Sequence, residues 1–206
     1  PALFAFTREA TDFRVEAVSL GVSIVLVTVY ALSLFFAFVT HRALFRTDFA
    51  HGVAKWSLGR AMAMLGGATV FVALLSEFLV GALEPTVEEL GLSKLFVGLI
   101  VVPIVGNAAE HSSAIFLAAK DKMDVSIEIA IGSSTQIALF VAPMLVFVSL
   151  LVGEPMNFLF SGLEIAAVGF SSAILGFIIL DGRSNWFEGA QLLAAYLIMA
   201  VSFFFL

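Results

Sequence analysis

Glu110 and His111 sit in the middle of an apolar run, PIVGNAAEHSSAI, at residues 103–115. Asn107, Glu110, His111 and Ala114 are spaced by three and four, so on a helix they share one face. A second run places Gly132, Ser133, Gln136 and Phe140 at the same kind of spacing. An ionised carboxylate near a bilayer centre costs about 2.5–3.5 kcal/mol even on the lenient insertion scale, so such a group faces a protein interior and finds a partner. Pro103 removes a backbone donor and its ring clashes with the preceding turn, while Gly106 eases departure from helical geometry. Together they are expected to free carbonyls of Pro103, Ile104 or Val105 from helical bonding. Carboxylate, side-chain amide and unwound carbonyl are all hard oxygen donors, the set that suits Ca²⁺ or a similar cation.

Plainer roles compete for the same residues. Glu110 paired with His111 or with a buried lysine would be a structural contact. A lone histidine is more often a hydrogen-bonded packing residue than a ligand, and Ser133 and Gln136 could serve as interhelical hydrogen-bond donors. Pro103 and Pro143 would then only kink their helices. Structural roles are expected for Glu77, Glu164 and Gln191. An enzyme is not expected. A zinc protease needs two histidines four apart with a glutamate between them. Here Glu110 and His111 are adjacent, and His41 and His51 fall near the connection between the first two spans. No nucleophile–base pair is evident.

The elements that must position these groups are membrane helices. The chain is 61% hydrophobic and 13% charged, with a mean hydropathy of +1.10. A soluble domain carries about a quarter charged residues. Apolar runs of roughly twenty residues or more are long enough to cross a hydrocarbon core, and the short alternating strands of a membrane barrel are not seen. The expected class is an all-α integral membrane protein with six spans, at 17–40, 57–83, 92–119 (interrupted near Gly106), 125–152, 158–180 and 186–206. Glu84-Pro85 is expected to end the second span, Gly153-Glu154-Pro155 the fourth and Asp181-Gly182-Arg183 the fifth. Trp56 and Trp186 stand at helix starts, where indole rings favour the membrane interface. The short turn from Lys120 to Asp124 makes the second half of the third span and the fourth span antiparallel neighbours.

The remaining features set bounds. Without cysteine, neither a disulfide nor a thiolate metal site within this sequence is available. The net charge of −6 comes with no basic run that would suggest nucleic acid. Because the first residue is Pro1 and no signal peptide precedes it, the chain is expected to begin within a longer polypeptide. Six spans put the first, third and fifth connections on one side, with Arg42, Arg46, Lys55, Arg60, Lys120, Lys122 and Arg183. The other side holds Arg8, Arg14 and Lys94. Seven cations against three predict that the first set of connections is cytoplasmic.

GNAAEH at 106–111, followed by GSSTQIAL at 132–139, resembles the second α-repeat of the Ca²⁺/H⁺ exchangers. These form the cation/proton exchanger branch of the calcium:cation antiporter superfamily. YALSLFFAFVTHRALF, LSEFLVGALEP, AAKDKMD and DGRSNWFEG extend the resemblance over nearly the whole chain. The resemblance implies a fold of eleven helices, one extra and then two inverted five-helix repeats. On that map residues 1–56 hold the last helix of the first repeat and a cytoplasmic loop, and 57–206 the whole second repeat. Glu110 would be the central carboxylate that binds cation or proton in turn, with Asn107 and Gln136 as further cation ligands. His111 and Ser133 would adjoin them, supported by the helix break at Pro103, Val105 and Gly106 and by Gly132. The second span, with Ser76 and Glu77, would be the mobile gating helix.

Two departures from the family pattern follow. No second GN-x-x-E element is present, and the nearest internal echo, SSAI at 112–115 and 171–174, carries no acid. The segment 45–55 between the halves holds only Asp48 among acidic residues. This chain is therefore expected to supply half of a site and to need an N-terminal half as partner. Ca²⁺ and H⁺ are the implied transported ions, with no prosthetic group, in the cell membrane or a vacuolar membrane, and a homo-oligomer is compatible with this. A Na⁺-coupled exchanger and a non-transporting membrane scaffold are the alternatives.

Overall fold

Long apolar stretches with few breakers satisfy their backbone groups internally only as helices. In this computed structural model, which describes residues 12–42, 56–180 and 182–205, every regular element among the described residues is helical. Arg8, Arg46, Asp48, His51, Lys55 and Asp181 lie outside the described residues. α1 is Asp12–Phe35, continued by a π-turn at Phe36–Thr40. α2 is Leu58–Leu90, α3 Lys94–Gly106 and α4 Ala108–Ala118. α5 is Met123–Val152, α6 Gly162–Ile179 and α7 Trp186–Phe204. Five of these are long and apolar enough to cross a membrane, and α3 with α4, bent by 55°, makes a sixth if the pair is taken as one broken span. A helix, or for the third span a bent helix pair, stands at each of the six expected positions. The first begins at Asp12 rather than 17, and the fifth at Gly162 rather than 158.

One expected stop is overturned. α2 does not end at Glu84-Pro85 but runs through Pro85 to Leu90. An interior proline removes one donor and crowds the carbonyl four residues back. That residue is Gly81, which adds no side chain, and the Thr86 hydroxyl donates to the neighbouring Ala82 carbonyl at 2.7 Å. What stops α2 is Gly91, at φ +63°, with Leu92 N–H donating to the Val87 carbonyl at 3.1 Å. This is the left-handed closure for which glycine is suited. α5 ends in the same way at Gly153 (φ +86°), where Glu154 N–H donates to Ser149 O.

The other internal prolines have a different accommodation. A π-turn at Val97–Val101 precedes Pro103, and one at Ile137–Val141 precedes Pro143. The rings of Pro103 and Pro143 would strike the carbonyls of Leu99 and Leu139 in α geometry. Both carbonyls fall inside the widened turns. In each case the residue before the proline bonds five residues back: Val102 N–H to Val97 O, and Ala142 N–H to Ile137 O.

The chain divides into two compact units, one of residues 1–45 and 106–199, the other of 46–105 and 200–206. In the first unit α1 packs along the second half of α5, and α4 along its first half. Tyr30 stacks on Phe140 at 5.2 Å between ring centres. The fully buried side chains are small: Ser19 and Ser23 on α1, Pro143 and Val146 on α5. Small residues let membrane helices approach closely. Ser23 Oγ donates to the Ser19 carbonyl at 2.8 Å, and Ser19 Oγ accepts from Phe158 N–H at 3.1 Å. α1 is thereby tied to the α5–α6 connection. α6 starts with a reciprocal cap: Ser161 N–H donates to Glu164 Oε2 at 2.7 Å, and Glu164 N–H to Ser161 Oγ at 3.3 Å. Ser171 Oγ reaches Met199 Sδ at 3.4 Å, joining α6 to α7. In the second unit Val97, Ile100 and Phe203 are buried, and Phe96 meets Phe204 edge-on at 5.3 Å.

Candidate functional site

Pro103 and Gly106 bracket the end of α3, and the chain leaves helical geometry at Asn107, with φ −98° and ψ +17°. The last carbonyls of α3 and the first amides of α4 are by position without intrahelical partners. The expected break therefore exists, at Asn107 itself. Glu110 falls in the first turn of α4, where a helix favours negative charge.

The turn after α4 sets the site's second wall. Lys122 N–H donates to Leu117 O and Asp121 N–H to Ala118 O, each at 3.0 Å. Asp121 takes the left-handed conformation at φ +60°, where glycine is usual and a short polar side chain is tolerated. Lys120 lays its ammonium over the Phe116 ring at 4.1 Å. This compact reversal returns the chain as α5, antiparallel to α4.

Between the two helices lies a pocket of about 170 Å³. From Asn107 at the start of α4 and from Glu110, His111 and Ala114 within it comes one wall, the whole face expected from their spacing. From α5 come Ser133 and Ser134, with the apolar Ile129, Ala130 and Ile137. Glu110, Asn107 and Ser133 are half-buried, and His111 and Ser134 exposed. Among the described residues neither the Glu110 carboxylate nor the His111 ring makes a hydrogen bond or an ion pair, so the structural pairing of these two side chains is not formed. Ser133 Oγ and Ser134 Oγ both donate to the Ala130 carbonyl, at 3.2 and 3.0 Å.

The α5 face differs from the expected one. Gly132, Gln136 and Phe140 do not line the pocket. Each residue turns a helix by about 100°, and packing against α4 centres the pocket on Ser133, Ser134 and Ile137, about a quarter-turn from Gln136. Phe140 instead stacks on Tyr30. Ser134 was missed because the run around Ser133 fits two overlapping faces, and only the placement of α4 chooses between them. Pro103, Val105, Ser76 and Glu77 belong to α3 and α2; Ser76 and Glu77 are exposed in the middle of α2. Among the described residues no three His, Asp or Glu side chains converge as a metal site. What the pocket offers a cation is one carboxylate, one amide, one imidazole and two hydroxyls.

Comparison with known proteins adds a second line. A family described as sodium/calcium exchanger protein matches residues 60–205. The chain is 46% identical over 193 residues to a Ca²⁺/H⁺ antiporter ChaA of Bacillus subtilis, covering 91% of this chain and 55% of that protein. It is 42% identical to a Ca²⁺/H⁺ antiporter of Synechocystis, covering 100% of this chain and 60% of the relative. A vacuolar calcium ion transporter of Schizosaccharomyces pombe is 41% identical, with 91% and 47% covered. The solved structure of native YfkE superposes with a TM-score of 0.80 at 40% identity, covering 98% of this chain and 57% of that one. The chain thus spans roughly half to three-fifths of the length of these relatives. The three curated relatives are named for transport.

Proposed function

This chain belongs to the sodium/calcium exchanger protein family, and on that premise we propose that it supplies one half of the exchange site of a Ca²⁺/H⁺ antiporter. The observation that carries the reading is the pocket on the broken span, where Glu110 stands with Asn107, Ser133 and Ser134 and has no protein counter-ion among the described residues. The names of the relatives, Ca²⁺/H⁺ antiporters at 46% and 42% identity, support the choice of ions.

The mechanism is charge competition at one carboxylate. Ionised Glu110 attracts the divalent cation, and Asn107 and the hydroxyls add neutral oxygens. Ca²⁺ takes six to eight oxygens, more than this pocket holds, so the rest come from water and from a facing half-site on an N-terminal repeat. Cation and proton compete for the one carboxylate, so binding of the cation expels the proton and protonation releases the cation. The two ligand states stabilise different arrangements of the helices, which gives alternating access. Residues 57–206 act as the second repeat, a division supported by the family match at 60–205. The first, third and fifth connections face the cytoplasm.

The test is Glu110→Gln in the full-length exchanger in sealed vesicles. It keeps shape and removes both charge and titration, and proton-driven Ca²⁺ uptake is expected to fall to background. Uptake at the parental rate would sink the reading. A sodium-coupled exchange is favoured by the description of the family. Imposing a Na⁺ gradient or a pH gradient separately separates the two, and only the pH gradient is expected to drive uptake.

A further inference from the structure

Ser134 is the pocket residue that the motif spacing did not single out. We infer that it is a further oxygen donor to the transported cation and helps set which cation the pocket holds. The inference rests on the exchange reading above and goes beyond it in assigning a ligand and a selectivity role to this residue.

A serine has one O–H and two lone pairs. Ser134 Oγ directs its proton to the Ala130 carbonyl at 3.0 Å, and Ser133 Oγ does the same at 3.2 Å. With both protons committed to the helix's own backbone, what each oxygen has left for the pocket is lone pairs. A wall that only accepts suits a cation and repels an anion. The two side chains share one carbonyl anchor, so their oxygens are fixed together rather than independently.

Neutral oxygens also fit the coupling. They raise the coordination number towards the six to eight that Ca²⁺ prefers, yet they bind no proton in the exchange range. The charge that must be neutralised to release the cation then stays on Glu110 and on whatever carboxylate faces it. A second aspartate or glutamate at position 134 would instead hold the cation against protonation. A smaller cation that takes six ligands at shorter distances gains less from the extra oxygen. Ser134 therefore favours the larger ion.

The sequence has no cysteine, so in a full-length exchanger cleared of other thiols a single thiol reports on one position. Ser133→Cys, Ser134→Cys and Thr135→Cys are labelled in membranes with a thiol reagent, with and without saturating Ca²⁺. Thr135 lies on α5 away from the pocket lining. Labelling of Ser133→Cys and Ser134→Cys is expected to slow about tenfold with Ca²⁺, with Thr135→Cys unchanged, a tenfold change being about 1.4 kcal/mol of occupancy. Because thiolate is a soft ligand, Ser134→Cys is also expected to make uptake inhibitable by Cd²⁺ at concentrations harmless to the Thr135→Cys control. Protection at 133 without protection at 134 overturns the inference and leaves the exchange reading intact. Protection at neither overturns the reading itself. Equal protection at all three positions points to global closure and also overturns the inference. Should Ser134→Cys fail to fold, Ser134→Ala serves: Ca²⁺ affinity is expected to drop several-fold relative to Mn²⁺, and an equal drop for both ions counts against selectivity.

Discussion

Glu110 and Asn107 define the pocket at the residue scale, because they lie three apart on either side of the point where α4 begins. Asn107 is the residue out of helical geometry, and its amide is one helical turn from the carboxylate. Asn107→Asp keeps the shape and adds a second carboxylate. Ca²⁺ affinity at alkaline pH is expected to rise by about tenfold, since charge count among ligands sets cation affinity. Uptake measured against pH is expected to become steeper, because two coupled carboxylates must be protonated before the cation leaves. An unchanged pH profile would place position 107 outside the site. Asn107, Glu110, His111 and Ala114 were legible as one face because a helix has a single period and all four obey it. Ser134 was not, because Ser133 belongs equally to the face with Gln136 and to the face with Ile137.

Closures and buried hydroxyls help to fix the positions of the elements. Ser19 is fully buried and holds the amide of Phe158. Ser19→Ala leaves that donor without its partner, at a cost of about 1–3 kcal/mol, read as a lower unfolding temperature in detergent. Gly91 closes α2 at φ +63°, with no atom near the position a Cβ would take. Gly91→Ala is therefore strained by its backbone alone and is expected to cost about 1 kcal/mol. Asp121 presents the opposite case: at φ +60°, Asp121→Gly is expected to stabilise the α4–α5 turn by a few tenths to about 1 kcal/mol. A loss of stability there would mean that the carboxylate has a role of its own. The glycine stop at Gly153 was legible and ended α5 where expected, whereas the one at Gly91 was not anticipated. Pro85 misled because α2 carries it in its interior and runs on to Leu90.

Binding at the whole-molecule scale is linked to stability. If the pocket holds Ca²⁺ in the folded exchanger, saturating Ca²⁺ at a hundred times Kd is expected to add about 2.7 kcal/mol. On the proposed competition of cation and proton for Glu110, that gain is expected at neutral and alkaline pH and is expected to be lost as the pH falls. A melting temperature that responds to Ca²⁺ equally at low and high pH would contradict the competition and favour the scaffold alternative. Orientation gives a separate check. Thiols placed at Lys120 and Lys122 are expected to react only with reagent supplied from the cytoplasmic side.

The sequence alone determined the class, the number of spans, the broken span and the α4 face of the pocket. Each of these depends on local quantities: apolar run length, the backbone needs of proline and glycine, and a fixed helical period. The tertiary structure decided the α5 face, the π-turns that absorb Pro103 and Pro143, and the ties made by Ser19 and Ser23. The π-turns are local answers to the proline rings, whereas the α5 face and the serine ties depend on the rotation of one helix against another. The rotation follows from how side chains of distant segments fill a shared interface, and no single stretch of sequence carries that information.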